Sequence, residues 1–212
     1  MDRTITTVSA VRSVGPDAVA IDLETPDGFD ARPGQFVKFS LPAADAAPRF
    51  YTVSSPVVDE TFEITVEIDY DGELGPHIAD LDSGDEVALA GPLGSAYYED
   101  EERVVVLAGG PGVGPAIGIA ERALDDGGEA AVIYCDAEPI HEKRLDALAD
   151  SGAFVRVLED DGAVADATRE AIMAEPDEQV FVYGFADFLD VATDAVEAAG
   201  GNAEAAKVEN FG

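Results

Sequence analysis

An antiparallel Greek-key β-barrel followed by a doubly wound α/β domain is the architecture this sequence predicts. Three observations carry the prediction. Residues 1–100 read as short strands broken by turn residues, whereas residues 101–212 alternate apolar runs with helical segments. The charged stretch "YYEDEER", around Glu99–Arg103, separates the two patterns. Hydrophobic residues make up 47% of the 212 residues, enough to build real cores and to exclude general disorder.

In the first half, "TITTVSAVRSV", "AVAIDLETP", "QFVKFSLP", "FYTVSS", "TFEITVEIDY" and "DEVALAG" are rich in Val, Ile, Thr and Phe. Turn signals such as "TPDG", "RPGQ" and "DYDGELGP" lie between them. Six short strands at this spacing predict a closed antiparallel barrel. One helix is predicted in "PHIADLDSG", with Pro76 in its first turn.

In the second half "RVVVLA", "AAVIYC", "AFVRVL", "QVFVY" and "AEAAKVE" are strand-like. Helical segments such as "GPAIGIAERALDDGG" and "ADFLDVATDAVEAAGG" alternate with them. The last helix places Leu189, Ala192, Val196 and Ala199 on one face. Five strands alternating with helices predict a parallel sheet covered on both sides.

The net charge is -33, from 45 acids against 12 bases, and only three of those bases are lysines. Such a chain repels nucleic-acid phosphate and anionic lipid, so neither is expected as a partner. Two origins fit the charge: a patch for a basic partner, or a dispersed adaptation to high salt. Acids spread along the whole chain with few lysines favour the second. No apolar run reaches a membrane span, and the N-terminus lacks a signal-peptide core, so a cytoplasmic location is expected. A single cysteine, Cys135, excludes an internal disulfide framework and a cysteine-ligated iron–sulfur cluster. With His77 and His141 as its only histidines, the chain offers no metal-ligand pattern.

Two segments carry chemistry. "RFYTVSSP" places one arginine, aromatic residues and small hydroxyls side by side, suiting either packing or a flat, phosphorylated ligand. "VVVLAGGPGVGPAIGIAERAL" is a buried strand, a glycine-dense turn and a helix. Gly109, Gly110, Gly112 and Gly114 allow a tight turn and close approach of a ligand. The helix start suits a pyrophosphate, although glycine turns of this kind also serve packing alone. No Walker lysine follows, which argues against a P-loop kinase.

Together these segments resemble the ferredoxin–NADP reductase superfamily over nearly the whole chain. Arg49, Tyr51, Thr52 and Ser55 match its flavin signature Arg-x-Tyr-Ser/Thr-x-x-Ser. Gly109, Gly110, Gly112 and Pro115 match its nucleotide signature. "GPLG" at 91–94 resembles the segment that closes the family's barrel, and "VENFG" its acidic-x-aromatic terminus.

The resemblance implies a bound FAD, with FMN a weaker alternative, and NAD(P)H as cosubstrate. It implies Arg49 on the flavin pyrophosphate, Tyr51 against the isoalloxazine ring, and Thr52 near the hydride-accepting N5. Phe50, Ser54, Ser55, Gly72, Leu74 and Gly75 complete the implied flavin contacts. The nucleotide would meet Gly109, Gly110, Gly112, Val113 and Pro115, with Gly184 beside it; Phe211 either stacks on the flavin or merely packs. At Gly75 the family often has Ser or Thr; here only backbone amides are offered.

Two departures stand out. Where the family commonly reads Cys-Gly-Pro, this chain has Tyr183–Gly184–Phe185, so Tyr183 either replaces the cysteine at the catalytic position or narrows nicotinamide entry. Where an arginine often recognises a 2′-phosphate, this chain has Cys135–Asp136, which favours NADH weakly unless Lys143 and Arg144 compensate. The implied activity is hydride transfer from NAD(P)H to FAD, with electrons passing to a separate acceptor such as ferredoxin or a small oxidant. The alternative is a flavin-binding but nicotinamide-excluding sensor or electron-transfer subunit of the same fold.

Overall fold

The computed structural model describes residues 3–212. Its first sheet contains β1 (Thr4–Gly15), β2 (Ala18–Glu24), β3 (Phe36–Ser40), β4 (Arg49–Thr52), β5 (Thr61–Glu67) and β6 (Glu86–Leu93). These six are hydrogen-bonded in the order β4-β3-β6-β1-β2-β5, and every pair is antiparallel. A bridge between Val53 and Ile64 joins the two ends, so the sheet curls shut. Alternation along β5 shows how the sequence specifies this. Phe62, Ile64 and Val66 point into the barrel core with Val37, Phe39 and Ile21, leaving Glu63, Thr65 and Glu67 on the outer face. The short helix α1 (Gly75–Ala79) caps one end, with Leu74 and Ile78 in that core. It stops at Asp80, sooner than the sequence pattern predicts.

The second sheet contains β7 (Arg103–Gly109), β8 (Glu129–Cys135), β9 (Phe154–Leu158), β10 (Glu178–Gly184) and β11 (Lys207–Asn210). All are parallel, in the order β11-β10-β7-β8-β9. Every residue of β7 is buried because helices cover both faces. On one face Val104, Val106 and Ala108 pack under α2 (Val113–Asp125) and α3 (Glu142–Asp150). On the other, Val105 and Leu107 pack under α4 (Val164–Ala171) and α5 (Ala186–Ala198). The strand order reverses between β7 and β10, and the carboxyl ends of these two strands form the crevice where ligands of open α/β sheets gather. The last strand begins later than "AEAAKVE" predicts. Asn202 accepts a hydrogen bond from the Ala205 amide and curls 203–205 into a 3-10 turn.

The two sheets meet along α2. Cβ atoms added at Gly114 and Gly118, one turn apart, would sit 2.5 Å from the Ser54 hydroxyl and 2.8 Å from the Ser54 carbonyl. A glycine inside a helix costs about 1 kcal/mol relative to alanine. Here it lets the helix lie directly on the barrel backbone after β4. From α3, Arg144 crosses the seam and donates to Glu63 at 2.7 Å, to the Ser54 carbonyl at 3.0 Å and to Glu121 at 2.6 Å. Arg12 donates to the other Glu63 oxygen at 2.6 Å, so a barrel carboxylate is gripped from both domains.

Gly118→Ala should therefore destabilise the fold by about 1–3 kcal/mol, because its contact is backbone that cannot rotate away. Urea unfolding in molar salt measures this; an unchanged midpoint would show that α2 does not need the close approach.

Candidate functional site

The principal cleft, of about 400 Å³, lies between the outer face of the barrel and the carboxyl ends of β7 and β10. Its barrel wall is Arg49, Phe50, Tyr51 and Thr52 of β4, with Thr65 and Glu67 of β5. The loop into α1 supplies Asp69, Gly72, Glu73, Leu74 and Gly75. Pro111, Pro115, Phe185 and Phe211 form the α/β wall.

Arg49 is exposed at one end of this cleft, and its guanidinium meets only the Ala47 and Pro48 carbonyls, each at 3.4 Å. Among the described residues every other arginine except Arg3 pairs with a carboxylate. In a chain this acidic, an unpaired arginine beside a cleft is a ready partner for an anion. The Tyr51 ring packs edge-on against Phe39 at 5.6 Å, and burial pushes its hydroxyl up to about 12, so it remains a donor at neutral pH. Thr52 is nearly buried at the cleft floor. Phe50 is 58% exposed at the rim and packs edge-on against Phe36.

Beyond Glu67 the chain turns on Asp69. The Gly72 amide donates to the Asp69 carbonyl at 3.1 Å. A Cβ at Gly75 would land on that same carbonyl, which explains why a serine or threonine has no room there. The acids of this wall oppose an anion. Burial, then the Asp136 charge, raises the Glu67 carboxyl above its ordinary range.

Across the cleft, Gly110 adopts the left-handed φ of 55°, a conformation that favours glycine. A Cβ there would point toward Glu67 at 3.6 Å and Phe185 at 4.0 Å, and the neighbouring Pro111 and Pro115 line the cleft. Gly109, Gly112 and Val113 face the protein instead: Cβ atoms at the two glycines would come within 2.6 Å of the Phe188 ring and 2.5 Å of the Tyr183 carbonyl, and Val113 is fully buried. Gly184 accepts the Phe211 amide at 3.0 Å, which holds the terminal aromatic over the cleft. Phe185 meets Phe211 edge-on at 6.1 Å.

Four further side chains named by the resemblance do not line the cleft. Tyr183 is 0% exposed; its hydroxyl donates to the Ala96 carbonyl and is wedged beside Gly34 of the barrel. It pins the domains together and does not project into the cleft, because β10 alternation turns it to the α2 side. Ser54 is 0% exposed and hydrogen-bonds Thr65 at 2.9 Å beneath α2. Ser55 accepts the Glu63 amide at 2.6 Å on the barrel wall. Asp136 is engaged locally, accepting from the Tyr134 hydroxyl at 3.1 Å and the Glu138 amide at 2.9 Å.

The cleft also contains residues the sequence reading passed over: Thr65, Glu67, Asp69, Pro111 and Phe185. The period-2 polar face of β5 was the available signal for the first two. Among the described residues, no group of three or more His, Cys, Asp or Glu is placed to hold a metal ion.

A barrel with a cleft at its junction to a parallel α/β sheet is the two-domain fold of ferredoxin–NADP reductase-like proteins. Residues 6–98 match the family model of the oxidoreductase FAD-binding domain, and the ferredoxin reductase-like relatives and structures support the ferredoxin–NADP reductase superfamily. A probable dihydroorotate dehydrogenase B (NAD(+)) electron transfer subunit of Methanopyrus kandleri is 37% identical over 90 residues, 42% of this chain and 32% of that protein. The ferredoxin reductase component of 3-ketosteroid-9-alpha-monooxygenase from Rhodococcus rhodochrous is 29% identical over 215 residues, covering 92% of this chain and 61% of that one. The crystal structure of a ferredoxin NADP+ reductase from Neisseria gonorrhoeae, with FAD and NADP bound, superimposes with a TM-score of 0.79 at 16% identity, over 100% of both chains, a likeness of fold. This chain spans 32–37% of the length of the first curated relatives it matches.

Because burial and Asp136 penalise the Glu67 carboxylate, Glu67 weakens the fold as pH rises through its raised range and is harmless below the ordinary carboxylate range. Glu67→Gln should raise the melting temperature of the cofactor-free protein at pH 8, and the difference should vanish near pH 4. An equal difference at both values would show that ionisation is not involved.

Proposed function

We propose that this chain is an FAD-dependent NAD(P)H oxidoreductase that delivers electrons to a separate acceptor, such as a ferredoxin or a small oxidant. The observation that carries the proposal is Arg49, unpaired in a chain of net charge -33, at one end of a cleft shared by Tyr51, Thr52, Pro111 and Pro115. FAD in this cleft would supply a ring that accepts hydride from a nicotinamide and passes electrons on.

The protein's part is binding and orientation. Arg49 offsets pyrophosphate charge, and main chain at Gly72 and Gly75 lets the ligand approach closely. Tyr51 offers an apolar face with a protonated hydroxyl, and Thr52 a hydroxyl at the floor. The α/β wall excludes water through Pro111, Phe185 and Phe211. The ferredoxin reductase component among the relatives supports an electron-transfer role of this kind.

NADH is the preferred donor in this proposal. Asp136, Asp160 and Asp161 all act on Cys135 at the ends of β8 and β9, a negative field that opposes a 2′-phosphate. Of the two compensating cations Lys143 and Arg144, Arg144 is committed to Glu63 and Glu121. The dispersed acids support a salt-adapted protein. Among the described residues no helix is long and apolar enough to cross a membrane.

A second reading has its own observation. The Phe185–Phe211 pair lines the α/β wall of the cleft, and an aromatic wall there would suit an electron-transfer subunit closed to nicotinamide.

Anaerobic stopped-flow with FAD-reconstituted protein in molar KCl separates the readings. Flavin absorbance should bleach with NADH, and at least tenfold more slowly with NADPH. A yellow protein indifferent to both nucleotides would transfer the conclusion to the second reading, and failure to reconstitute with FAD would overturn both. Arg49→Ala should weaken FAD binding by about ten- to a hundredfold, as the loss of a charge-assisted contact. Unchanged occupancy would remove Arg49 from the site.

A further inference from the structure

Thr65 lines the cleft and also bonds across the domain seam. Its hydroxyl lies 2.9 Å from the Ser54 hydroxyl and 2.9 Å from His141 Nε2, in a buried three-member chain. Ser54 and Thr65 come from the barrel, and His141 from the residue before α3. All three are buried, with His141 only 4% exposed.

The local backbone does not ask for a histidine. His141 sits at φ 57° and ψ 23°, the left-handed region that glycine or asparagine occupies at lower cost. Its amide donates to the Val14 carbonyl at 2.8 Å, a contact any non-proline residue could make. What the imidazole adds is its reach to Thr65.

The groups around the ring are Arg12 and Glu63 from the barrel and Glu142, Lys143 and Arg144 from α3. Burial, then Arg144 and Arg12, pushes its pKa down to about 3, so the ring is neutral at physiological pH, with one donor nitrogen and one acceptor. A neutral imidazole on one side and a hydroxyl on the other fix the rotamer of Thr65. Gly114 closes the arrangement, since a Cβ there would meet Thr65 Oγ1 at 2.7 Å.

We propose that His141 is a positioning residue for the flavin site: through Thr65 it sets the shape of the cleft floor between Thr52 and Glu67, so that the α/β domain completes the barrel's binding surface for FAD. The proposal rests on the FAD reading above. It makes flavin affinity a property of the docked pair of domains.

The test uses full-length apoprotein in molar KCl, with FAD titrations and visible circular dichroism of the bound flavin. Thr65→Val keeps the shape and removes the hydroxyl; His141→Leu removes the ring partner. Each should raise the FAD dissociation constant roughly three- to tenfold and alter the bound-flavin dichroism. The double variant should be no worse than either single one, because both break the same chain. His141→Gln, which retains hydrogen-bonding atoms, should recover most of the affinity.

Wild-type affinity and dichroism in both single variants, or losses that multiply in the double variant, would overturn the proposal. If His141→Leu does not fold, Thr65→Val decides alone. If wild-type protein fails to bind FAD, the proposed function falls, and this inference with it. If wild type binds and the variants match it, only this inference falls.

Discussion

The close approach of α2 to the barrel, made possible at Gly114 and Gly118, is the constraint from which the site follows. It brings the carboxyl ends of β7 and β10 against the outer face of β4 and β5, and the cleft is the space left between them. It also buries Ser54 and Thr65, which must then find partners inside the seam because a buried unpaired hydroxyl costs about 1–3 kcal/mol. They find each other and His141. Arg144 and Glu63 satisfy the same requirement for charge, each gripped by several partners instead of left alone in a region of low dielectric.

Charge is distributed by the same logic. Among the described residues, eight of the twelve bases of this acidic chain pair with carboxylates. Arg103 is buried between Glu178 at 3.0 Å and Glu129 at 2.5 Å, and holds the floor of the parallel sheet. Arg12 and Arg144 hold the seam. Arg49 is spared this duty, and it stands beside the cleft. The acids Glu67, Asp69 and Glu73 on the neighbouring wall make the electrostatics of an anionic ligand a balance between one fixed cation and several carboxylates. That balance depends on salt, because screening shortens to roughly 3 Å at 1 M.

The fold was legible because each element carries its own period: alternation in the barrel, apolar runs and helical faces in the α/β half. The strands, all but the onset of the last, and the helices, all but the end of α1, follow from those local signals. The site was legible in part. Arg49, Tyr51, Thr52, Gly75, Pro115 and Phe211 converge on one cleft, as the motif order suggests. Ser54 and Ser55 lie in the same short motif but turn inward, because the chain leaves β4 there and passes under α2. Tyr183 belongs to the seam for a similar reason. Which face of β10 meets the barrel depends on how two domains dock, and no local pattern in the sequence encodes that. The polar face of β5 was visible as alternation, but its meaning, a wall shared between solvent, cleft and seam, is set by the partner domain.

Lys207 ties the last strand to the connection between the domains. Its ammonium reaches the Tyr97 carbonyl at 2.8 Å, Glu99 at 2.9 Å and Glu101 at 2.6 Å, and it lies over the Phe181 ring. The acidic "YYEDEER" stretch is thus stapled to the second sheet, and the two cleft walls behave as one body. Opening by a hinge, a microsecond-to-millisecond motion, would have to break this staple along with the seam. Rotation of the half-exposed Phe185 ring needs neither, and exposed side chains reorient in picoseconds to nanoseconds. The mouth of the cleft can therefore change shape at the Phe185 ring without any of the contacts that join the two domains being broken.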